Sequence, residues 1–255
     1  MKIPIPSKGD SSVAGRPAPD PASQSSTPQK EARGSASVID EQVGVDQHDL
    51  RISDIVPDSP YGEAALAFYR AGFDVIPGHP SEKRAVVKWD PWRAALSPDA
   101  IAAHYAEHPH HTLCCILDER LLVLDADAPL AVSALDILEQ QFGVESNFVV
   151  NTRRGQHRYY RLGADVIART RAHSTAAHPD RIDVKAARSL VMLPPSPNKT
   201  IARCDINTVE DLVEVKQDFV DAVFHHNGCE PPRERMPTER HAIASESPQL
   251  SQNSL

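Results

Sequence analysis

The sequence contains no Cys-x-x-Cys pair. Its four cysteines, Cys114, Cys115, Cys204 and Cys229, have neither the paired spacing of a zinc ribbon nor the pattern of a disulfide framework, and they read as buried or incidental thiols. No run of about 18 apolar residues occurs, which excludes a membrane-spanning helix on pattern grounds. The opening MKIPIPSKGD lacks the basic n-region and apolar h-region of a secretion signal, so a cytoplasmic protein without membrane association is expected. There is no GxxxxGK[ST] loop, so any helicase function must come from another protein. The formal charge of −8 excludes a uniformly basic coat for nonspecific binding of nucleic acid. It leaves room for a local basic groove, because affinity for phosphates depends on where the charges lie.

Such a local concentration is present. TRRGQHRYYR, residues 152–161, carries Arg153, Arg154, Arg158 and Arg161 and no acid. The ends of the chain are of another character. Residues 1–52 and 230–255 are rich in Pro, Ser, Gln and Asp, lack apolar periodicity, and cannot bury enough apolar surface to offset the entropy of ordering. Both are expected to be disordered tails around one domain over 53–229, a normal size for a single core.

Within that domain the pattern predicts a helix over 61–71 ending at Gly72, a short strand over 73–77, and a helix opened by Ser97-Pro98. TLCCIL and LLVLDAD, separated by Asp118-Glu119-Arg120, read as a hairpin, and PLAVSALDILEQQFG as an amphipathic helix stopped by Gly143. NFVVNT and GQHRYYRL are strands around the turn Arg153-Arg154-Gly155, and IDVKAARSLVMLPPS holds two more strand-like runs. Thr208 to Phe224 has helical period and is expected to close the fold as a helix. The sum is a mixed α+β domain with a substantial antiparallel sheet.

LLVLDAD poses a chemical problem. Strand alternation sends Asp125 and Asp127 to one face, where two carboxylates repel unless they are solvated in a turn or share divalent cations. Hard, oxygen-liganded Mg²⁺ or Mn²⁺ in phosphoryl transfer uses such a pair. His157 follows a tight glycine turn amid arginines, a setting suited to an anionic ligand. His108, His110 and His111 are read instead as a solvated cluster at a helix end. Asp183 lies between Ile182 and Val184, where an acid is costly unless it pairs with Lys185 or Arg181 or completes a metal site.

The order of these elements resembles the archaeo-eukaryotic primases, and in particular the primase-polymerase domain of plasmids, phages and integrated elements. The resemblance rests on a strand ending in DAD, on TRRGQH, and on IDVK followed by VMLPPS. Upstream it extends through YGEAALAFYRAGFDVIP and KRAVVKWDPWRAALSPDAIAAHY, so that it spans roughly 60–200. It implies an RRM-like catalytic core flanked by helices and template-directed nucleotidyl transfer from nucleoside triphosphates on single-stranded DNA. Asp125, Asp127 and Asp183 would hold Mg²⁺ or Mn²⁺, and His157 would contact the phosphates of the nucleotide. Charge and position add Arg153, Arg154 and Lys185 as phosphate contacts.

The chain also departs from the family pattern. Arg153 and Arg154 replace small residues before the turn glycine, and Ala186-Ala187-Arg188-Ser189 replaces a glycine-rich turn. The family's lysine-x-proline segment reads Lys83-Arg84-Ala85, so that Lys83 and Lys88 compete for one role. A separate helicase or replication initiator is an expected partner. The alternatives are a catalytically silent module that binds single-stranded nucleic acid or nucleotide, and a metal-dependent nuclease.

Overall fold

The computed structural model describes residues 50–233. The expected tails lie outside the described residues except for their innermost positions, and one of these, Ile52, is buried in the core at 3% exposure. In chain order the elements are α1 (Tyr61–Arg70), β1 (Val75–Gly78), α2 (Trp89–Ala95), α3 (Pro98–Glu107), β2 (Thr112–Ile116), β3 (Leu121–Ala126) and α4 (Pro129–Phe142). There follow β4 (Phe148–Asn151), β5 (Gln156–Leu162), β6 (Asp183–Lys185), β7 (Leu190–Met192), β8 (Thr200–Cys204), β9 (Glu214–Val215) and α5 (Gln217–His226). The architecture is α+β, as the sequence implies, with largely antiparallel open sheets. Among the described residues no helix is long and apolar enough to cross a membrane.

Helix boundaries follow local chemistry. The Ser97 hydroxyl caps α3 by accepting from Ala100 N at 3.2 Å, with Pro98 in the first turn. α4 ends at Gly143 in the left-handed conformation that glycine adopts without strain. Two expectations are corrected. Thr208 to Phe224 is not one helix. Asp211 accepts from the amides of Asn207 and Thr208, both at 2.9 Å, and closes a single 3-10 turn over Val209–Asp211. The chain then extends so that β9 runs parallel to β5, and helix begins only at Gln217.

β2 and β3 are not a hairpin. β2 pairs with β1 and β7 in a three-stranded sheet, whereas β3 lies between β5 and β6 in a six-stranded one ordered β6-β3-β5-β4-β8, with β9 beside β5. Asp118-Glu119-Arg120 offers no glycine for a tight three-residue hairpin. Arg120 instead reaches Asp118 and Glu210, and its carbonyl accepts from Leu162 N at 2.7 Å, drawing the chain to the larger sheet.

The larger sheet is sealed on both sides. Val123, Phe148, Val150 and Tyr159 join Phe68 and Phe73 in the core shared with α1 and the smaller sheet. Leu122, Leu124, Tyr160 and Val184 pack with Leu135, Phe219 and Val223 of α4 and α5. Burying each such side chain contributes roughly 1.5–3 kcal/mol. β3, α4 and β4 form a split β-α-β unit with β5 inserted between its strands, the central arrangement of an RRM-like sheet.

A buried polar network ties β5 to α4. Glu139, 7% exposed, accepts from Tyr160 OH at 2.7 Å and Ser146 N at 2.9 Å, and it pairs with the Arg158 guanidinium, which also reaches Asp136 at 2.5 Å. Removing one partner strands the other charge in the interior. Glu139→Ala is therefore expected to lower stability by roughly 3–5 kcal/mol in chemical denaturation. A loss below about 1 kcal/mol would mean that the network is solvated and anchors nothing.

Candidate active site

One row of side chains crosses the larger sheet. Strand register sets Ile201 beside Val150, Val150 beside His157, His157 beside Asp125, and Asp125 beside Asp183. Cross-strand partners point to the same face, so the register alone brings His157 and Asp183 to either side of Asp125, although the three are far apart in sequence. All three are buried, at 6%, 9% and 7% exposure respectively. Asp127 lies just past the end of β3, partly exposed.

The turn before His157 is fixed by contact with that strand end. A Cβ on Gly155 would stand 1.8 Å from the carbonyl oxygen of Ala126 and 3.2 Å from the amide of Ala128, on either side of Asp127. Only glycine lets the two backbones meet there. The Thr152 hydroxyl accepts from Gly155 N at 3.1 Å, and Thr152 N donates to Gly155 O at 2.8 Å, which closes the turn.

Five buried side-chain polar atoms lack a hydrogen-bond partner among the described residues, and three of them are here: Asp125 Oδ1, His157 Nδ1 and Tyr159 OH. Such orphans are rare in folded proteins and concentrate where a ligand or catalysis uses them. Asp125 Oδ1 lies 3.4 Å from His157 Nε2, an ion-pair distance without hydrogen-bond geometry. Burial pushes the Asp125 carboxyl upward, but His157, Lys185 and Lys199 together outweigh it and hold the group below its ordinary range. Burial lowers the His157 imidazole more than Asp125 raises it.

Lys199 is the residue that sequence reasoning missed. Its Nζ lies 3.1 Å from His157 Nε2. Lys199 is 8% exposed, and burial brings its ammonium down to about 8, with Asp125 and Asp127 opposing the shift and Lys83 adding to it. The turn that delivers it is well determined. Asn198 takes φ +60, a conformation asparagine tolerates, and Lys199 N donates to Ser196 O at 2.9 Å. The Ser196 hydroxyl accepts from Leu113 N at 3.0 Å and donates to Leu113 O at 2.9 Å, fastening this turn to β2 of the smaller sheet.

An open cavity of about 350 Å³ lies beside the row, lined by Lys83, Arg153, Arg154 and Lys199 with Asp127, Glu82 and His79. Lys83 reaches it on a loop closed by His79 N to Arg84 O at 2.9 Å and Val86 N to Pro77 O at 3.0 Å. Lys88 is exposed at the start of α2 and does not line the cavity. Lys185 is also outside it, with Nζ 3.4 Å from Asp183 Oδ2. The remaining histidine cluster is separate. His108 and His111 stack at 4.7 Å, and His104, pushed down to about 4 chiefly by burial, lies with Nε2 3.0 Å from His111 Nδ1.

The three aspartates do not form a ready cage. Among the described residues no three His, Cys, Asp or Glu side chains converge as metal ligands. The reason is local pairing: Arg154 holds Asp127 at 2.6 Å, while the amides of His173 and Ser174 donate to Asp183 Oδ1 at 2.6 and 2.8 Å. The Arg154 side chain is 58% exposed, so its pair with Asp127 is weak and exchangeable. The orphaned Asp125 oxygen and the second carboxylate two residues on are hard donors whose chemistry suits Mg²⁺ or Mn²⁺. The fit is therefore chemical, through donor type and an unmet acceptor.

A family model described as Bifunctional DNA primase/polymerase, N-terminal, matches residues 65–214. No curated protein matches the sequence.

Two measurements test this geometry. Gly155→Ala is expected to destabilise the fold by roughly 1–3 kcal/mol or more and to abolish binding of inorganic triphosphate, since the turn or the end of β3 must move. An unchanged unfolding midpoint would refute the close approach. Lys199 is charged below about 8 and loses its charge as pH rises through that value. Calorimetric affinity for triphosphate should then fall from pH 7 to 9 more steeply in the wild type than in Lys199→Met, and parallel profiles would remove Lys199 from the anion site.

Proposed function

The chain belongs to the bifunctional DNA primase/polymerase family, and on that premise we propose that it is a template-directed nucleotidyltransferase that makes or extends primers from nucleoside triphosphates. The catalytic unit is the domain over 53–229. The observation that carries the reading is the cross-strand row Asp183, Asp125, His157, joined through the Lys199–His157 contact to a cavity lined by four cations.

Asp125 and Asp127, with Asp183 beside them, would hold Mg²⁺ or Mn²⁺. When bound, such ions stabilise the attacking 3′-oxygen and the charge that develops on the departing pyrophosphate. The protein's own groups do the rest. Lys83, Arg153 and Lys199 bind triphosphate oxygens in the cavity, and Arg154 joins them once its grip on Asp127 is exchanged. Lys199, charged at neutral pH, sits where negative charge grows on the leaving group and needs little reorganisation because its turn is tied to β2. His157, held by Lys199 and Asp125, orients the phosphates. The amides of His173 and Ser174 fix one oxygen of Asp183 and so set the position of the other.

The test is incubation with single-stranded template, labelled nucleotides and Mg²⁺ or Mn²⁺, beside Asp125→Asn/Asp127→Asn. Metal-dependent product is expected from the wild type and at least about 10²-fold less from the variant. Nucleotide binding without synthesis would turn the reading into that of a binding module, and template degradation would turn it into that of a nuclease.

A further inference from the structure

The outer edge of β6 is paired at Val184 and then released. Arg171 N donates to Val184 O at 2.8 Å and Val184 N to Arg171 O at 2.9 Å, an antiparallel bridge. Carried on by one hydrogen-bonded rung, two residues along each segment, that pairing would set His173 opposite Ile182. It is not carried on. His173 N turns instead to Asp183 Oδ1 at 2.6 Å, with Ser174 N beside it at 2.8 Å. Ile182, at 0% exposure, is thereby left with an amide and a carbonyl that need other partners.

Asn227 supplies both. Its Oδ1 accepts from Ile182 N at 2.9 Å and its Nδ2 donates to Ile182 O at 2.9 Å, so one carboxamide stands in for the missing strand rung. Asn227 is itself fully buried and caps the C-terminus of α5. The helix end that presents it is closed by Cys229 N to Phe224 O at 3.0 Å and Gly228 N to His225 O at 2.9 Å. The same end also holds the residue that was diverted. The His173 ring meets Phe224 edge-on at 5.7 Å, and its Nδ1 lies 3.7 Å from Cys229 Sγ.

α5 does not depend on these bonds to stay docked. Phe219, Val220, Val223 and Phe224 bury its inner face, and four such side chains outweigh two hydrogen bonds. What the bonds do determine is the backbone at Ile182, and with it the direction of the next side chain. Two amides occupy Asp183 Oδ1, which leaves Oδ2, 3.4 Å from Lys185 Nζ, as the oxygen that can turn to a cation. We propose that Asn227 is a positioning residue for the metal site: by taking over Ile182 it frees the His173 amide for Asp183 and fixes where Asp183 Oδ2 points. The assignment rests on the nucleotidyltransferase reading, in which Asp183 is a metal ligand.

The experiment titrates Mn²⁺ alone into the full chain, followed by electron paramagnetic resonance, for the wild type, Asn227→Ala, Asn227→Ser and Val220→Ala, with unfolding midpoints and primer extension measured in parallel. Asn227→Ala should weaken Mn²⁺ binding roughly 10–100-fold, the usual effect of removing a group that orients a ligand, and raise the Mn²⁺ concentration for half-maximal extension in step. Asn227→Ser, which keeps one polar group near Ile182, should lose less. Val220→Ala opens a cavity under the same helix and should lower the unfolding midpoint while leaving Mn²⁺ affinity unchanged. If the wild type extends primers and Asn227→Ala keeps its Mn²⁺ affinity, or Val220→Ala loses as much, Asn227 only anchors α5 and this inference falls while the nucleotidyltransferase reading stands. Failure of both Asn227 variants to fold would overturn it in the same way. If the wild type binds no Mn²⁺ and makes no product, both fall.

Discussion

The buried carboxylate of Asp125 is the constraint around which the rest is arranged. A charge with 7% exposure is tolerated only with compensation, and β3 supplies that compensation through its neighbours. β5 brings the His157 imidazole, β6 brings Lys185 beside Asp183, and the connection from β7 to β8 brings Lys199. These groups together hold Asp125 ionised despite burial. Even so, one of its oxygens remains without a hydrogen bond among the described residues.

Positive charge is distributed in the molecule by commitment. On the far face of the sheet, Arg158 is locked to Glu139 and Asp136 and serves the fold. At the cavity, Arg154 is loosely engaged and Lys83 and Arg153 have no carboxylate partner among the described residues. A net charge of −8 therefore coexists with a cavity lined by four cations, since acids elsewhere pair with structural arginines. The same count spread evenly would support neither anion binding nor a buried acid.

Much of this was legible in the chain because it depended on local pattern. Ser97-Pro98, Gly143 and the apolar run before Asp125 each name their own structure through capping, left-handed backbone and two-sided burial. The pairing of β2 was not legible, because its partners β1 and β7 lie in separate parts of the chain and the apolar run is equally compatible with either sheet. Lys199 was hidden for a related reason. A lysine in a Pro/Ser/Asn-rich connection ordinarily points to water. This one is turned inward by the Asn198 backbone and by a hydroxyl 83 residues from its partner Leu113 in sequence. The one available signal was the compact turn composition of PPSPNK. His79 had none beyond its place after a strand.

The turn before β5 sets opposite rules for adjacent residues. Gly155 meets the backbone of Ala126 so closely that no other side chain fits, while Arg153 and Arg154 project, exposed, into the cavity. Substitution at the two arginines can change the charge of the cavity without disturbing the register that aligns His157 with Asp125. What fixes the backbone register and what sets the charge of the cavity are thus separable along three consecutive codons.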